Sequence, residues 1–260
     1  MAGLETEEIM SRIAAQARDS YNRIARHYNE PSHETVRNFE VLVRDFLQRN
    51  MSTITAPLRA GRGVSIDLGG GRGWVAKMMA EQGYDAVLAD ISDEMLACAR
   101  SDYGDQLRYE HASAFDLPFE SESAGLFTTN LCGAYLGPTA LAEIERVLVP
   151  GGIHVITETP TEWVQATHPD RSMPDGKTWY KDGEGENVLL PFTYIYTLPE
   201  LSELVRDAGR EVKVAETLTP ADLIQEADLS AVNRHAAERL GLVARDVPVL
   251  SAVIAAKPHR

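Results

Sequence analysis

Apolar positions in the first fifth of the chain recur at helical steps. Ile9, Ile13, Ala17, Tyr21, Ile24 and Tyr28 lie three or four residues apart and predict one face of a helix. Pro31 interrupts the run, and Val36, Phe39, Val43, Phe46 and Leu47 predict a second helix reaching about Thr53. Residues 1–56 therefore read as a helical N-terminal lid, expected to pack across the ligand-binding edge of the domain that follows, residues 57–260. From Val64 the period changes. Short apolar runs at Val64–Asp67, Ala86–Asp90, Leu107–Glu110, Leu126–Thr129 and Ile153–Thr157 alternate with helical stretches. That alternation predicts an α/β fold, a doubly wound and mostly parallel sheet of seven strands once two later strands are added. The first helix is expected over Arg72–Gln82, and Ser92 is placed to cap the next, with Asp93 and Glu94 favourable in its first turn. Leu141, Ile144 and Leu148 stripe a further helix, which Pro150-Gly151-Gly152 is expected to stop.

After Glu158 the periodicity dissolves until about Thr197. Six of the chain's 18 aromatic residues fall there, among them Trp163 and Tyr194, interspersed with Pro, Gly and acids. A long aromatic segment inside a compact domain is expected to serve as a substrate cap, over about residues 159–197. Leu198–Ala208 resumes as a helix, Glu211–Ala215 as a strand, Ala221–Leu240 as a helix and Val249–Ala255 as a closing strand.

The formal net charge of −14 and the absence of any basic run argue against nucleic acid and against anionic membrane surfaces as partners. Cys98 and Cys132 lie in unrelated segments, so neither a zinc ribbon nor a disulfide framework is expected. His168 and Asp170 match no metal-ligand spacing, and no metal is expected. Met1–Met10 has no signal-peptide pattern, which leads to the expectation of a cytoplasmic protein acting on something small. Nothing in the pattern sets an oligomeric state.

The densest chemical signal is Val64-Ser65-Ile66-Asp67-Leu68-Gly69-Gly70-Gly71-Arg72-Gly73. A strand, a glycine turn and a helix N-terminus make the ligand-binding corner of a doubly wound sheet. Two fingerprints fit it. Gly71, Gly73 and Ala76, with Asp90 at the end of the next strand, satisfy the dinucleotide pattern of a nicotinamide-dependent oxidoreductase. Asp67, Gly69, Gly71 and Gly73 satisfy D-x-G-x-G-x-G. The acid separates the two, because a carboxylate at the turn repels a pyrophosphate and attracts an ammonium. Asp67 has a second reading, as a cap on the turn that follows it.

Four pieces in order, Asp67–Gly73, Ala89-Asp90-Ile91-Ser92 with Met95, Ala114–Phe119 and Glu143–Gly152, resemble the class I S-adenosylmethionine (SAM) dependent methyltransferases. The likeness is to their small-molecule branch of quinone-biosynthesis and natural-product enzymes, and it spans about residues 62–217. The resemblance implies SAM as cofactor and S-adenosylhomocysteine as product. It implies that Gly69, Gly70, Gly71 and Gly73 wrap the methionine portion, that Asp67 attracts its ammonium, and that Asp90 accepts the ribose diol. Ile91 and Met95 would flank the adenine, Ser113, Ala114 and Phe115 would meet its edge, and Asn130 and Leu131 would lie near the sulfonium. Aromatics of the N-terminal helix sometimes reach the SAM carboxylate in this family, which makes Tyr21 and Tyr28 candidates; their spacing fits core positions equally well. The chain departs from the family pattern at Ser113 and Gly125, where Asp is usual, and in the length of Thr217–Val247.

The reaction so implied is methyl transfer to an O, N or C atom of a small aromatic or apolar metabolite. Rim residues His27, His33, Tyr135, Glu158 and His168 are the candidates for a general base, and each reads more readily as a solvated side chain. Tyr135, Trp163 and Tyr194 are the expected substrate contacts. His111, ending the third strand, is expected to be structural or near adenine. The alternative is a protein of the same fold that binds SAM for a non-methylating reaction or for regulation.

Overall fold

The computed structural model describes residues 2–28, 33–61, 63–132, 136–167, 177–191, 194–221 and 223–259. Its N-terminal part is helical, with α1 over Ala2–Ile24, α2 over Glu34–Arg49 and two short turns, α3 (Met51–Ile54) and α4 (Ala56–Arg59). Then follow β1 (Val64–Leu68), α5 (Trp74–Glu81), β2 (Asp85–Asp90), α6 (Asp93–Tyr103), β3 (Arg108–His111), β4 (Ala124–Asn130), α7 (Pro138–Val147) and β5 (Leu148–Glu158). The C-terminal part holds α8 (Thr161–Thr167), a hairpin of β6 (Lys177–Lys181) and β7 (Asn187–Pro191), α9 (Leu198–Asp207), β8 (Glu211–Leu218), α10 (Ala231–Leu240) and β9 (Leu250–Ala256).

Seven strands form one sheet in the order β3-β2-β1-β4-β5-β9-β8. β1 to β5 run parallel, and β9 lies antiparallel to both of its neighbours. The strand order reverses between β1 and β4, which opens a crevice beyond their carboxyl ends. Helices cover both faces. On one, Phe39, Leu42, Val43 and Phe46 of α2 pack with Met79 of α5, Trp163 of α8 and Ile254 of β9. On the other, Leu141, Ile144 and Val147 of α7 join Leu201 and Val205 of α9 over Phe127 and Ile156. So α2 belongs to the main core, while Ile24 of α1 forms a small satellite cluster with Met95 and Val188.

Local chemistry explains where elements differ from the sequence reading. The first helix starts at Trp74 and not Arg72, because Gly73 takes a left-handed conformation with φ of 80°. α7 ends at Val147, three residues before Pro150, whose ring would clash with the carbonyl one turn back; Pro150-Gly151-Gly152 lies inside β5. The expected helix over 221–240 shortens to α10, opened by Ser230, whose hydroxyl accepts the Asn233 N–H at 3.1 Å. The aperiodic segment holds α8 and the β6–β7 hairpin, which packs against α1 through Val188. Among the described residues no helix is long and apolar enough to cross a membrane.

Candidate active site

The carboxyl ends of β1, β2 and β4 face two clefts that meet at one rim. The first, about 660 Å³ of open space, is lined by Leu68, Gly69, Gly71, Asp90, Ile91, Met95 and Ala112–Phe115 from the sheet side. Ala14, Ala17, Tyr21 and Tyr28 close it from the N-terminal region. The second is smaller, about 520 Å³, and lies between α2 and the glycine turn. Tyr28, Gly69, Gly71, Asn130 and Leu131 border both. An apolar concavity with few convergent polar groups suits a small organic ligand.

Asp90 supplies the main polar contact of the first cleft. Its Oδ2 accepts the Gly71 N–H at 2.9 Å and its Oδ1 accepts the Ser92 N–H at 2.8 Å. A carboxylate oxygen has two lone pairs, so each keeps one for a ligand hydroxyl. Burial raises the Asp90 pKa, while the backbone bonds to Ser92 and Gly71 oppose the rise. Beside it Ser92 caps α6 by accepting the Met95 N–H at 3.1 Å, and this places Met95 in the cleft wall. Asn22 of α1 completes the cap, its Oδ1 accepting from the Ser92 hydroxyl at 2.7 Å and the Glu94 N–H at 3.2 Å.

Asp67 is turned away from the first cleft. Thr128, its register partner on β4, donates to Oδ1 at 2.6 Å, and the Ala76 N–H donates to Oδ2 at 3.2 Å. It is therefore a cap on the first turn of α5 as well as a wall of the second cleft. Burial, with the charge of Asp90 adding to it, pushes its pKa up to about 7. A methyl group at Gly70 would strike the Asp67 carboxylate and Leu88, so the turn must be glycine there to close over the acid. Gly71, with φ of 55°, has nothing within 4 Å of a Cβ position; its exposed side is space for a ligand.

The end of β4 is strained and under-bonded. Leu131 has φ of 56°, unusual for a residue with a branched side chain, and donates its N–H to the Thr157 carbonyl at 2.7 Å. Asn130 accepts the Thr157 hydroxyl at 2.9 Å. Its buried amide nitrogen makes no hydrogen bond of normal geometry, although it lies near enough to steady the Asp67 carboxylate. This donor sits where the clefts join and is available to a ligand.

The cofactor positions read from the sequence thus converge. Tyr21, Tyr28, Gly69, Gly71, Asp90, Ile91, Met95, Ser113, Ala114, Phe115, Asn130 and Leu131 share the first cleft, while Asp67 and Gly70 border the second. Tyr21 and Tyr28 meet edge to face with ring centroids 6.4 Å apart. Gly73 is behind the turn, where an added Cβ would meet Leu88 at 2.9 Å. Ser113 uses its hydroxyl to accept the Phe115 N–H at 3.3 Å, which shapes the loop after β3.

The substrate and base candidates fare differently. Trp163 is corrected to a core residue: it is buried, donates from Nε1 to Asn233 at 2.8 Å and meets Phe39 edge-on at 5.5 Å. Tyr194 stacks on Tyr196 at 6.3 Å and covers Gly137, where any Cβ would collide with its ring; it lines neither cleft. His33 donates from Nδ1 to the Tyr28 carbonyl at 2.9 Å, and this steadies the turn between α1 and α2. His111 donates to the Ile91 carbonyl at 2.9 Å, a structural bond that ties the end of β3 to the residue after β2. Glu158 ends β5, buried and in register with Ser251 of β9, outside both cleft walls. Tyr135 and His168 lie outside the described residues. Sequence reasoning missed Asn22 and the wall of the second cleft, Phe39, Glu40 and Trp74. The α2 periodicity marked Phe39 as core, and no pattern signalled that the same face also borders a cleft.

Residues 66–156, from β1 to β5, match the family model of a methyltransferase domain. The match covers about a third of the chain. The chain is 36% identical over 100 residues to a demethylmenaquinone methyltransferase of Clavibacter sepedonicus, covering 37% of this chain and 41% of that protein. It is 33% identical over 122 residues to the ubiquinone/menaquinone biosynthesis C-methyltransferase of Rubrivivax gelatinosus, covering 45% of this chain and 48% of that protein. The chain therefore spans less than half the length of the curated relatives it matches. Among solved structures it resembles a SAM-dependent methyltransferase from Mesorhizobium loti, with TM-score 0.52 and 23% identity over 74% of this chain and 90% of that one. That likeness is one of fold. The matched methyltransferase domain contains the glycine turn, Asp90 and the β4 end, and stops short of α8, the hairpin and α10.

Proposed function

We propose that the protein binds SAM across the two clefts and transfers its methyl group to an O, N or C atom of a small aromatic or apolar metabolite. The observation that carries this reading is Asp90, held by the Gly71 and Ser92 N–H groups in the wall of an apolar cleft. A vicinal diol matches that pair of acceptors, and charge-assisted bonds of this kind exceed neutral ones in strength. The residues present fit the nucleoside: Ile91 and Met95 offer apolar contact for a planar base, and Ser113–Phe115 supply polar main chain at its edge.

SAM, when bound, supplies an electrophilic methyl on a sulfonium. The chain's own contribution is placement and dehydration. Asn130 and Leu131 stand where the clefts meet, so the sulfonium of a molecule spanning both would lie beside them, and the methyl acceptor would reach it at that junction. Aligned reactants recover several kcal/mol, roughly, without any acid or base. The apolar faces of Tyr28 and Leu131, which border both clefts, favour a flat, poorly hydrated acceptor, and the curated relatives' quinone chemistry is of that class. A SAM-bound protein with another reaction or a regulatory role is the competing reading.

Incubation with SAM and a panel of aromatic and quinol-type metabolites, followed by mass spectrometry, tests the proposal. A product heavier by one methylene, formed with S-adenosylhomocysteine and lost in Asp90→Ala, is the expected result. Tight nucleoside binding without either product would favour the competing reading.

A further inference from the structure

The second cleft contains one carboxylate, Glu40, that no side chain or N–H among the described residues contacts directly. Val36, Phe39, Glu40 and Val43 recur at helical steps along α2 and face this cleft, opposite the Gly69–Arg72 turn. Three of the four are apolar, as the core demands. Glu40 is half-buried, and among the described residues it forms no hydrogen bond and no ion pair. Arg44, the cation one turn along, rests its guanidinium 4.7 Å above the Trp74 ring instead. Burial raises the Glu40 pKa, with the charge of Arg44 opposing the rise. A carboxylate held partly out of water beside a ligand-sized space is unfavourable until a cation joins it.

The acid that the glycine motif itself provides is committed elsewhere. Both oxygens of Asp67 are engaged, by Thr128 and by the Ala76 N–H, and the group caps α5. With a pKa near 7 it also carries only part of its negative charge at neutral pH. It is a helix cap first and a weak counter-charge second.

We infer that Glu40 of α2 is a counter-charge for the α-ammonium of the methionine tail, set across the second cleft from the buried Asp67. The assignment rests on reading the paired clefts as the SAM site. It makes α2 a binding element as well as a core helix, and it explains why a charged residue interrupts an otherwise apolar helical stripe.

Calorimetry on the full chain separates the tail from the nucleoside. S-adenosylhomocysteine carries the α-ammonium, and 5′-methylthioadenosine has the same nucleoside and thioether with no amino-acid tail. Glu40→Gln is expected to weaken S-adenosylhomocysteine about tenfold or more and to change 5′-methylthioadenosine by less than about twofold. Glu40→Asp, which keeps the charge on a shorter arm, is expected to fall between wild type and Glu40→Gln. Asp67→Asn is expected to reduce the preference for the tailed ligand less than Glu40→Gln does. Equal affinity of Glu40→Gln and wild type for S-adenosylhomocysteine, or equal losses for both ligands, would overturn the role of Glu40 alone. A wild-type protein that binds neither compound would overturn the SAM reading and this assignment with it.

Discussion

The main-chain N–H of Gly71 donates to Asp90 Oδ2 at 2.9 Å, which ties the glycine turn after β1 to the end of β2. The bond joins two segments 19 residues apart and sets the turn and the carboxylate as a single surface.

Asp90→Asn should separate the two duties of that carboxylate. An amide keeps one acceptor oxygen but turns an NH₂ toward either Gly71 or Ser92, leaving one buried N–H without a partner. A cost of about 1–3 kcal/mol in stability is expected, read from urea unfolding. Loss of the charge should also weaken S-adenosylhomocysteine by about 10–100-fold, since two charge-assisted bonds become neutral or vanish. Unchanged affinity would mean that the diol site lies elsewhere.

Asp67 makes stability depend on pH in the opposite sense to an ordinary paired carboxylate. Its pKa is raised from 3.8 to about 7, chiefly by burial, so the folded chain holds a proton that the unfolded chain releases. The stabilisation is complete below the unfolded value of 3.8 and is lost as pH rises through about 7. Asp67→Asn cannot titrate and can still bond both Thr128 and the Ala76 N–H. The unfolding free energy of wild type, measured relative to this variant from pH 4 to 8, is expected to fall as pH rises. A flat difference would show that the carboxyl is ionised throughout.

Trp163 is expected to matter for the fold and not for the ligand. Trp163→Ala should destabilise by about 3–5 kcal/mol, the range for deleting a buried indole. Trp163→Phe fills most of the volume but leaves Asn233 Oδ1 without its donor, and about 1–3 kcal/mol is expected. In both variants the folded fraction should bind S-adenosylhomocysteine as wild type does. A selective loss of ligand affinity would return Trp163 to the site.

The contrast between Asp90 and Trp163 shows what the sequence makes legible. A glycine turn flanked by acids has a meaning at fixed spacing, because the backbone itself shapes the corner; β1 to β5 and much of the lining of the first cleft were readable for that reason. Aromatic content carries no such address. Trp163 looks the same in a sequence whether it packs on Phe39 or on a substrate, and only the placement of α8 against α2 decides. Glu40 was hidden for the reverse cause, since a single charge on a helical stripe reads as a solvated edge. Asp67 was readable in type yet ambiguous in duty, and Thr128, 61 residues away, settles its direction.

Asn22 offers a test of how α1 is held over the first cleft. Its Oδ1 accepts from both the Ser92 hydroxyl and the Glu94 N–H, so one side chain of α1 completes the cap of α6. A further polar tie of this region is Arg23, which donates to Asp182 in the turn between β6 and β7 at 2.7 Å. That pair is half-exposed on the arginine side, and surface pairs of this kind contribute little. Asn22→Ala should therefore loosen α1 more than Arg23→Ala does. The expected signature is faster amide exchange in α1 near Tyr21 and Ile24, with a loss of about 0.5–2 kcal/mol from the cap itself. S-adenosylhomocysteine affinity should drop several-fold, because Ala17, Tyr21 and Tyr28 close the cleft from this segment. Asn22→Asp keeps the acceptor at a helix N-terminus, where a negative charge is favourable, and should restore both protection and affinity. If Asn22→Asp behaves like Asn22→Ala, the shared cap is not what holds α1 in place.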